Sequence, residues 1–171
     1  MVYIIYQASQ GEASHYNTST PFTRLMYSLM GFAAVSLLVA TGCIGVYLLR
    51  FGMRGDPLTL AAGLGLVLGS ILGTMTGLHL GGQPGHWVGG EATDANGLPL
   101  FGWSRTGGDL RVAHFVGLHT IQFLPLFAWL LADRVSKKLS RVLIYLSACA
   151  LTAITGLVFL QAKVGLPLVS L

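Results

Sequence analysis

Four of the five histidines lie in one part of the chain, around two apolar segments and the connection between them. Imidazole is the commonest metal ligand in proteins and a frequent haem ligand, and ionisable groups inside apolar membrane segments usually mark functional sites. We therefore expect at least two of these histidines to bind a cofactor or a metal ion. The four residues are His79, His86, His114 and His119.

The spacing of His114 and His119 assigns them separate roles. On a helix, residues five positions apart differ by about 140° in azimuth and about 7.5 Å in rise, so both cannot bind one small ion. His119 is followed by Gln122, and Pro125 leaves the Ile121 carbonyl without its helical donor. We expect His119, Gln122 and that carbonyl to form a buried polar site.

Glycine occupies every fourth position along the second apolar segment. Positions four apart share one slowly winding helix face, and a face of small residues lets another helix approach closely. The same face also leaves room for a planar cofactor such as a porphyrin. The pattern therefore predicts either close helix packing, within the chain or with a partner subunit, or a cofactor surface formed by Gly65, Gly69, Gly73, Gly77 and Gly81.

The composition places these residues in a membrane protein. Hydrophobic residues make up 53% of the 171 residues and charged residues 9%, against about 25% charged in a soluble domain. A spanning helix needs roughly 20 apolar residues. The sequence predicts one all-α domain over 1–171, an integral membrane four-helix bundle. It has a polar tail over 1–21, spans over 22–49, 58–80, 110–131 and 142–160, and a long loop over 81–109.

Each span begins with a residue that can cap a helix. Thr20 and Asp56 each precede a proline, which favours the first helical position. Asp109 and Ser140 are expected to cap the third and fourth spans.

The basic residues orient the bundle. Cytoplasmic loops are enriched in Lys and Arg, and six of the ten basic residues fall in the first and third connections. We therefore expect both termini and the 81–109 loop outside a bacterial inner or plasma membrane. Because the charges flank the spans and form no basic face, nucleic-acid binding is excluded.

The loop over 81–109 is too long for a simple connection, and loops of this length are usually functional or disordered. Its apolar segment over 98–103 predicts a lid over the histidine end of the bundle. Arg105 and Arg111 lie at its closing edge, where a guanidinium can pair with a propionate, a phosphate or lipid headgroups.

These features together predict an electron-transfer protein that resembles, in outline, a small membrane cytochrome b. Haem b needs imidazole ligands, a surface of small residues and basic groups for its propionates. The axial ligands are expected to be His79 together with His114 or His119, and Arg105 and Arg111 are expected to pair with the propionates. Partners are the lipid bilayer, a quinol or a redox protein, and further copies or subunits of a membrane complex.

Other classes of function stay open, and so does the question of whether the chain is an enzyme. A channel or transporter would use the polar site at His119 and Gln122. A membrane metalloenzyme would hold copper, zinc or iron at the histidines under the loop. The same imidazoles could ligate a chlorophyll-type pigment, and a structural subunit would use only the glycine face.

Overall fold

A computed structural model describes residues 2–170 of the chain, and about two thirds of the chain is helical. Within residues 2–170, the only strands are two residues long and pair with each other in the loop between the second and third long helices. In chain order the elements are α1 Val2–Ser9, α2 Pro21–Phe51, α3 Pro57–Gly81, β1 Trp87–Val88, β2 Gly108–Asp109, α4 Leu110–Leu131 and α5 Lys137–Lys163.

Four of the helices, α2 to α5, are long and apolar enough to cross a membrane. Their positions agree with the four predicted spans, which confirms the all-α fold and is consistent with an integral membrane protein. The segment expected as a polar tail contains the short helix α1, whose Tyr3 ring packs edge-on against Phe22 with centroids 6.1 Å apart.

Three of the four expected helix caps are confirmed. Thr20 accepts a hydrogen bond from the Thr23 backbone, Asp56 accepts one from the Thr59 backbone at 2.8 Å, and Asp109 accepts one from the Arg111 backbone at 3.0 Å. These bonds satisfy amide groups that the first helical turn leaves free. Hydrogen bonds from the backbone and side chain of Thr59 hold the pKa of Asp56 below its usual value.

The expected cap at Ser140 is wrong. Helix α5 begins at Lys137, and its N-cap is Ser136, four residues before the expected cap; the Ser136 hydroxyl accepts from the Leu139 backbone at 3.3 Å. The error has a physical cause. Apolar composition indicates only the part of a helix that lies in apolar surroundings, and the first turn of α5, which contains Lys137 and Lys138, is polar.

Helix α3 is the central element of the bundle. It packs against α2 on one side and against α4 and α5 on the other, whereas α2 packs principally against α3. The core shared by α3, α4 and α5 consists of Ala61, Leu124, Ala128, Ile144 and Ala148. Because α2 does not close the bundle against α4 and α5, a groove runs between α2 and α3.

The glycine face of α3 forms the contact with α4. A Cβ atom at Gly65 would lie 3.0 Å from the Thr120 carbonyl oxygen, and Cβ atoms at Gly69 and Gly73 would meet side chains of Ile121 and Leu118. The helices therefore approach at backbone distance, as small residues permit in membrane bundles. The last two positions differ: Gly77 faces His114, and Gly81 faces the Tyr27 hydroxyl of α2.

The loop between α3 and α4 folds back onto α4. The Leu110 amide donates to the His86 carbonyl at 3.0 Å. The rings of Phe101 and Trp103 stack with centroids 4.6 Å apart, and Trp103 packs edge-on against Phe115 at 5.5 Å. We call the end of the bundle that carries this loop the loop end.

Candidate functional site between α2 and α3

A cavity of about 450 Å³ opens between α2 and α3 near the loop end of the bundle. Its walls combine aliphatic side chains with Gly73, Gly77 and Gly81 of α3. Among the described residues, no lysine or arginine lines it. The polar residues that line it are His15, Tyr16, Tyr27, Ser28, Thr74 and His114.

His114 belongs to α4 and reaches this cavity because α3 has no side chain at Gly77. A Cβ atom at Gly77 would lie 2.8 Å from the Cε1 atom of His114, a separation that real Cβ atoms do not adopt. The imidazole therefore lies directly against the α3 backbone. The glycine repeat thus has two effects. It lets α3 and α4 pack closely along most of its length, and at Gly77 it leaves room for the His114 ring to reach the cavity.

The contacts of Thr76 indicate a tautomer for His114. The Thr76 Oγ1 atom lies 2.7 Å from the Leu72 carbonyl oxygen and 3.1 Å from Nδ1 of His114. We assign the one hydroxyl hydrogen to the shorter contact, with the carbonyl, so that the oxygen of Thr76 accepts from the Nδ1–H group. Because a neutral imidazole carries one proton, Nε2 is left as an unprotonated acceptor for a ligand.

Two hydroxyl groups on α2 also present acceptors to the cavity. Tyr27 donates its hydrogen to the Gly81 carbonyl at 3.1 Å, and Ser28 donates to the Arg24 carbonyl at 3.0 Å. With each hydrogen committed to the backbone, each oxygen retains only acceptor capacity. The cavity therefore offers three acceptors, counting Nε2 of His114, beside the hydroxyl donors of Tyr16 and Thr74.

The mouth of the cavity is formed by the segment before α2. Burial, followed by the charge of Tyr27, raises the pKa of Tyr16 to about 12, so its phenol is neutral at physiological pH. The fifth histidine, His15, lines the same mouth, and its Nδ1 lies 3.0 Å from the Ser14 hydroxyl. The site is therefore polar at its entrance.

The structure does not bring the other spanning histidines to this cavity. The ring of His79 packs edge-on against Phe159 of α5, with centroids 5.0 Å apart. His119 donates from Nδ1 to the Phe115 carbonyl at 2.7 Å and stacks on the Phe115 ring at 3.9 Å. Neither residue lines the cavity, so the expected pairing of His79 with His114 across one cofactor is not formed there.

The expected polar site of His119 and Gln122 is not assembled either. Gln122 is exposed, and His119 bonds within its own helix. Helix α4 runs without interruption through Pro125. The Ile121 carbonyl faces α3, 3.3 Å from where a Cβ of Gly65 would lie.

Arg111 fastens the loop to the start of α4. Its guanidinium donates to Asp109 at 2.7 Å, to Asp94 at 2.8 Å and to the Gly102 carbonyl at 2.8 Å. Asp94 also accepts from Nε2 of His86 at 3.0 Å. The donors of Arg111 and one ring nitrogen of His86 are thus used within the protein.

This cluster keeps Asp94 ionised. Partial burial alone raises its pKa, but hydrogen bonds and charges from His86 and Arg111 outweigh burial and hold the pKa below its usual value. Because the pKa of Asp94 is lower in the folded than in the unfolded chain, its carboxylate stabilises the loop at pH values above the unfolded pKa. That stabilisation is lost as the pH falls through the folded pKa. The side chain is 47% exposed, so the contribution is modest.

The described residues contain no ready metal site. Within residues 2–170, no three His, Cys, Asp or Glu side chains are grouped closely enough to hold a metal ion. Arg105, expected to pair with an anion, forms no ion pair in this part of the chain, and its Nε is buried without a partner.

The sequence analysis missed Thr76, Tyr27 and Ser28, because hydroxyl residues are common in apolar helices and their spacing gives no signal. No protein-family model, curated protein or solved structure matches this chain. Its function therefore has to be inferred from the chemistry of the cavity.

Proposed function

We propose that this chain is an integral membrane protein of electron transport that binds a membrane quinol in the cavity at His114. In the proposed orientation, both termini and the loop between α3 and α4 lie outside. The connections over 52–56 and 132–136, with the basic residues in them and in the adjoining helix ends, lie on the cytoplasmic side.

The acceptor atoms of the cavity carry this proposal. A quinol has two hydroxyl donors on a flat aromatic ring, and Nε2 of His114 with the oxygens of Tyr27 and Ser28 can accept from both. A quinone has only carbonyl acceptors, so it can accept from the Tyr16 and Thr74 hydroxyls of the lining but cannot pair with Nε2 of His114 or with the Tyr27 and Ser28 oxygens. Polar groups left unpaired in such a site cost binding energy, so the reduced form is favoured.

The surroundings of His114 also suit a membrane quinol. The ligand is neutral, and no Asp, Glu, Lys or Arg is among the described residues that line the cavity, whose walls are largely aliphatic. His114 accepts the hydrogen bond of one quinol hydroxyl through Nε2, and it is the base that takes up that proton when a redox partner oxidises the ligand. Thr76 holds the ring in the tautomer that permits this.

Haem b is the second candidate, favoured by one specific observation. An imidazole whose Nδ1 is held by a neighbour and whose Nε2 is open matches the usual state of an axial ligand, and His15 supplies a second imidazole at the same cavity. Bound haem would supply one-electron redox chemistry. Its propionates fit less well, because no lysine or arginine is among the described residues that line the cavity.

Thr76→Val tests the role assigned to the tautomer. Valine preserves the shape of the side chain but removes the oxygen that accepts from His114 Nδ1. A typical hydrogen bond contributes about 1 kcal/mol, so we expect quinol affinity to fall about fivefold. The measurement is equilibrium titration of the purified full chain in lipid nanodiscs with a soluble benzoquinol.

Thr76→Ser is the matched control, because it restores the oxygen, and its affinity should return close to that of the unaltered chain. Full quinol affinity in Thr76→Val would contradict the tautomer argument. A sharp Soret band in protein purified from its host, lost in His114→Ala, would replace the quinol proposal by the haem candidate.

A further inference from the structure

The groove between α2 and α3 continues beyond the His114 cavity. A second cavity of about 590 Å³ follows it along the same two helices. The two cavities share Leu38 of α2 and Thr74 of α3 as lining residues. Together they form one groove with a polar part at the loop end and an apolar part deeper along the helices.

We propose that the second cavity holds the isoprenoid tail of the quinol whose ring lies at His114. This inference rests on the proposed function and specifies its substrate class, a quinol with a long isoprenoid chain. Soluble quinols without a tail would fill only the first cavity. The tail cavity is lined mainly by Leu38, Val39, Val46, Val67, Ile71 and Met75.

Ser70 gives an independent indication that a ligand occupies this apolar cavity. It lines the cavity, is only 5% exposed, and its hydroxyl has no hydrogen-bond partner among residues 2–170. A buried hydroxyl without a partner is costly, and each case in a native structure calls for an explanation. Every isoprene unit has a double bond, whose π electrons are a weak acceptor that a saturated acyl chain lacks.

The length of the groove sets the minimum length of the tail. Gly77 faces the His114 ring, and Ser70 lies seven residues earlier on α3. At 1.5 Å per residue, the two levels are about 10 Å apart. A single isoprene unit, with four carbons in its main chain, is too short to extend from the His114 ring to Ser70. A chain of several units is long enough to reach Ser70 and extend beyond it.

The two native cysteines allow a direct test. Cys43 lines the tail cavity, whereas Cys149 lies on α5 away from that cavity, and both are exposed. Full-length protein in lipid nanodiscs is treated with membrane-permeant N-ethylmaleimide, and modification of each cysteine is followed by mass spectrometry. The reaction is run without ligand, with ubiquinol carrying one isoprene unit, and with ubiquinol carrying eight units.

We expect the eight-unit quinol to slow the modification of Cys43 several-fold and to leave Cys149 unchanged. The one-unit quinol should bind but leave both rates unchanged. Binding of both quinols with no protection of Cys43 would overturn the tail site alone, since a bilayer lipid or nothing would then occupy the second cavity. Failure of both quinols to bind would overturn the proposed function, and the tail site with it.

A long tail should also be blocked by a larger side chain at the same place. Val39→Trp narrows the tail cavity without touching the His114 cavity, because Val39 lines only the former. We expect this variant to bind the one-unit quinol normally and to lose the additional affinity of the eight-unit quinol. Equal affinity of the eight-unit quinol for both proteins would contradict the proposed path of the tail.

Discussion

Replacing His114 by alanine is expected to weaken quinol binding about fivefold to 150-fold. The substitution removes the Nε2 acceptor and leaves a quinol hydroxyl facing an apolar space. A buried donor without a partner costs about 1–3 kcal/mol, which corresponds to this range of affinity. The measurement is titration of the full chain in nanodiscs with a soluble benzoquinol.

His119→Ala is the matched control for this prediction. It removes an imidazole from the same helix, but His119 bonds to the Phe115 carbonyl and does not line the cavity. Its quinol affinity should remain within about twofold of the unaltered chain. If His119→Ala weakened binding as much as His114→Ala, the site would not be where we place it.

The second large effect is expected at Gly65, where α3 and α4 meet at backbone distance. A side chain there would collide with the Thr120 and Ile121 carbonyl oxygens, which cannot move without moving α4. Overpacking a tight contact usually lowers the free energy of unfolding by about 1–3 kcal/mol. Because these backbone atoms cannot move aside, we expect Gly65→Leu to cost at least the upper value of this range. We expect a large fall in the thermal unfolding temperature in detergent, or no folded protein.

Gly156→Leu separates this packing effect from the general effect of changing a helical glycine. Gly156 is exposed on α5, and a Cβ atom there would meet no described atom within 4 Å. The added leucine should leave stability unchanged or raise it slightly, because glycine is a poor helix former. Equal stability of the two variants would contradict the close contact of α3 with α4.

The spans and most helix starts could be predicted because they depend on local chemistry. The length of an apolar segment determines whether a helix can cross a membrane. Thr20 and Asp56 are recognisable as caps because a proline follows each of them at the start of the helix. Helix α1 was missed because eight residues give too short a pattern. The start of α5 was misplaced because its first turn is polar and the apolar pattern begins later.

The site was predictable only in part, for a geometric reason. The sequence indicates that histidines lie near the loop end, but it does not give the rotation of one helix relative to another. That rotation turns His79 towards Phe159 and His114 past Gly77 into the groove. The tautomer of His114 depends on where Thr76 donates its hydrogen, which only the folded helix determines.

The redox state that the protein prefers tests the central claim most directly. The full chain in nanodiscs is titrated with one benzoquinol and, separately, with the matching benzoquinone under conditions that preserve each oxidation state. Because only the quinol can donate to Nε2 of His114 and to the Tyr27 and Ser28 oxygens, one or two hydrogen bonds distinguish the ligands, and we predict that the quinol binds about tenfold tighter or more. Equal affinities, or tighter binding of the quinone, would contradict the account.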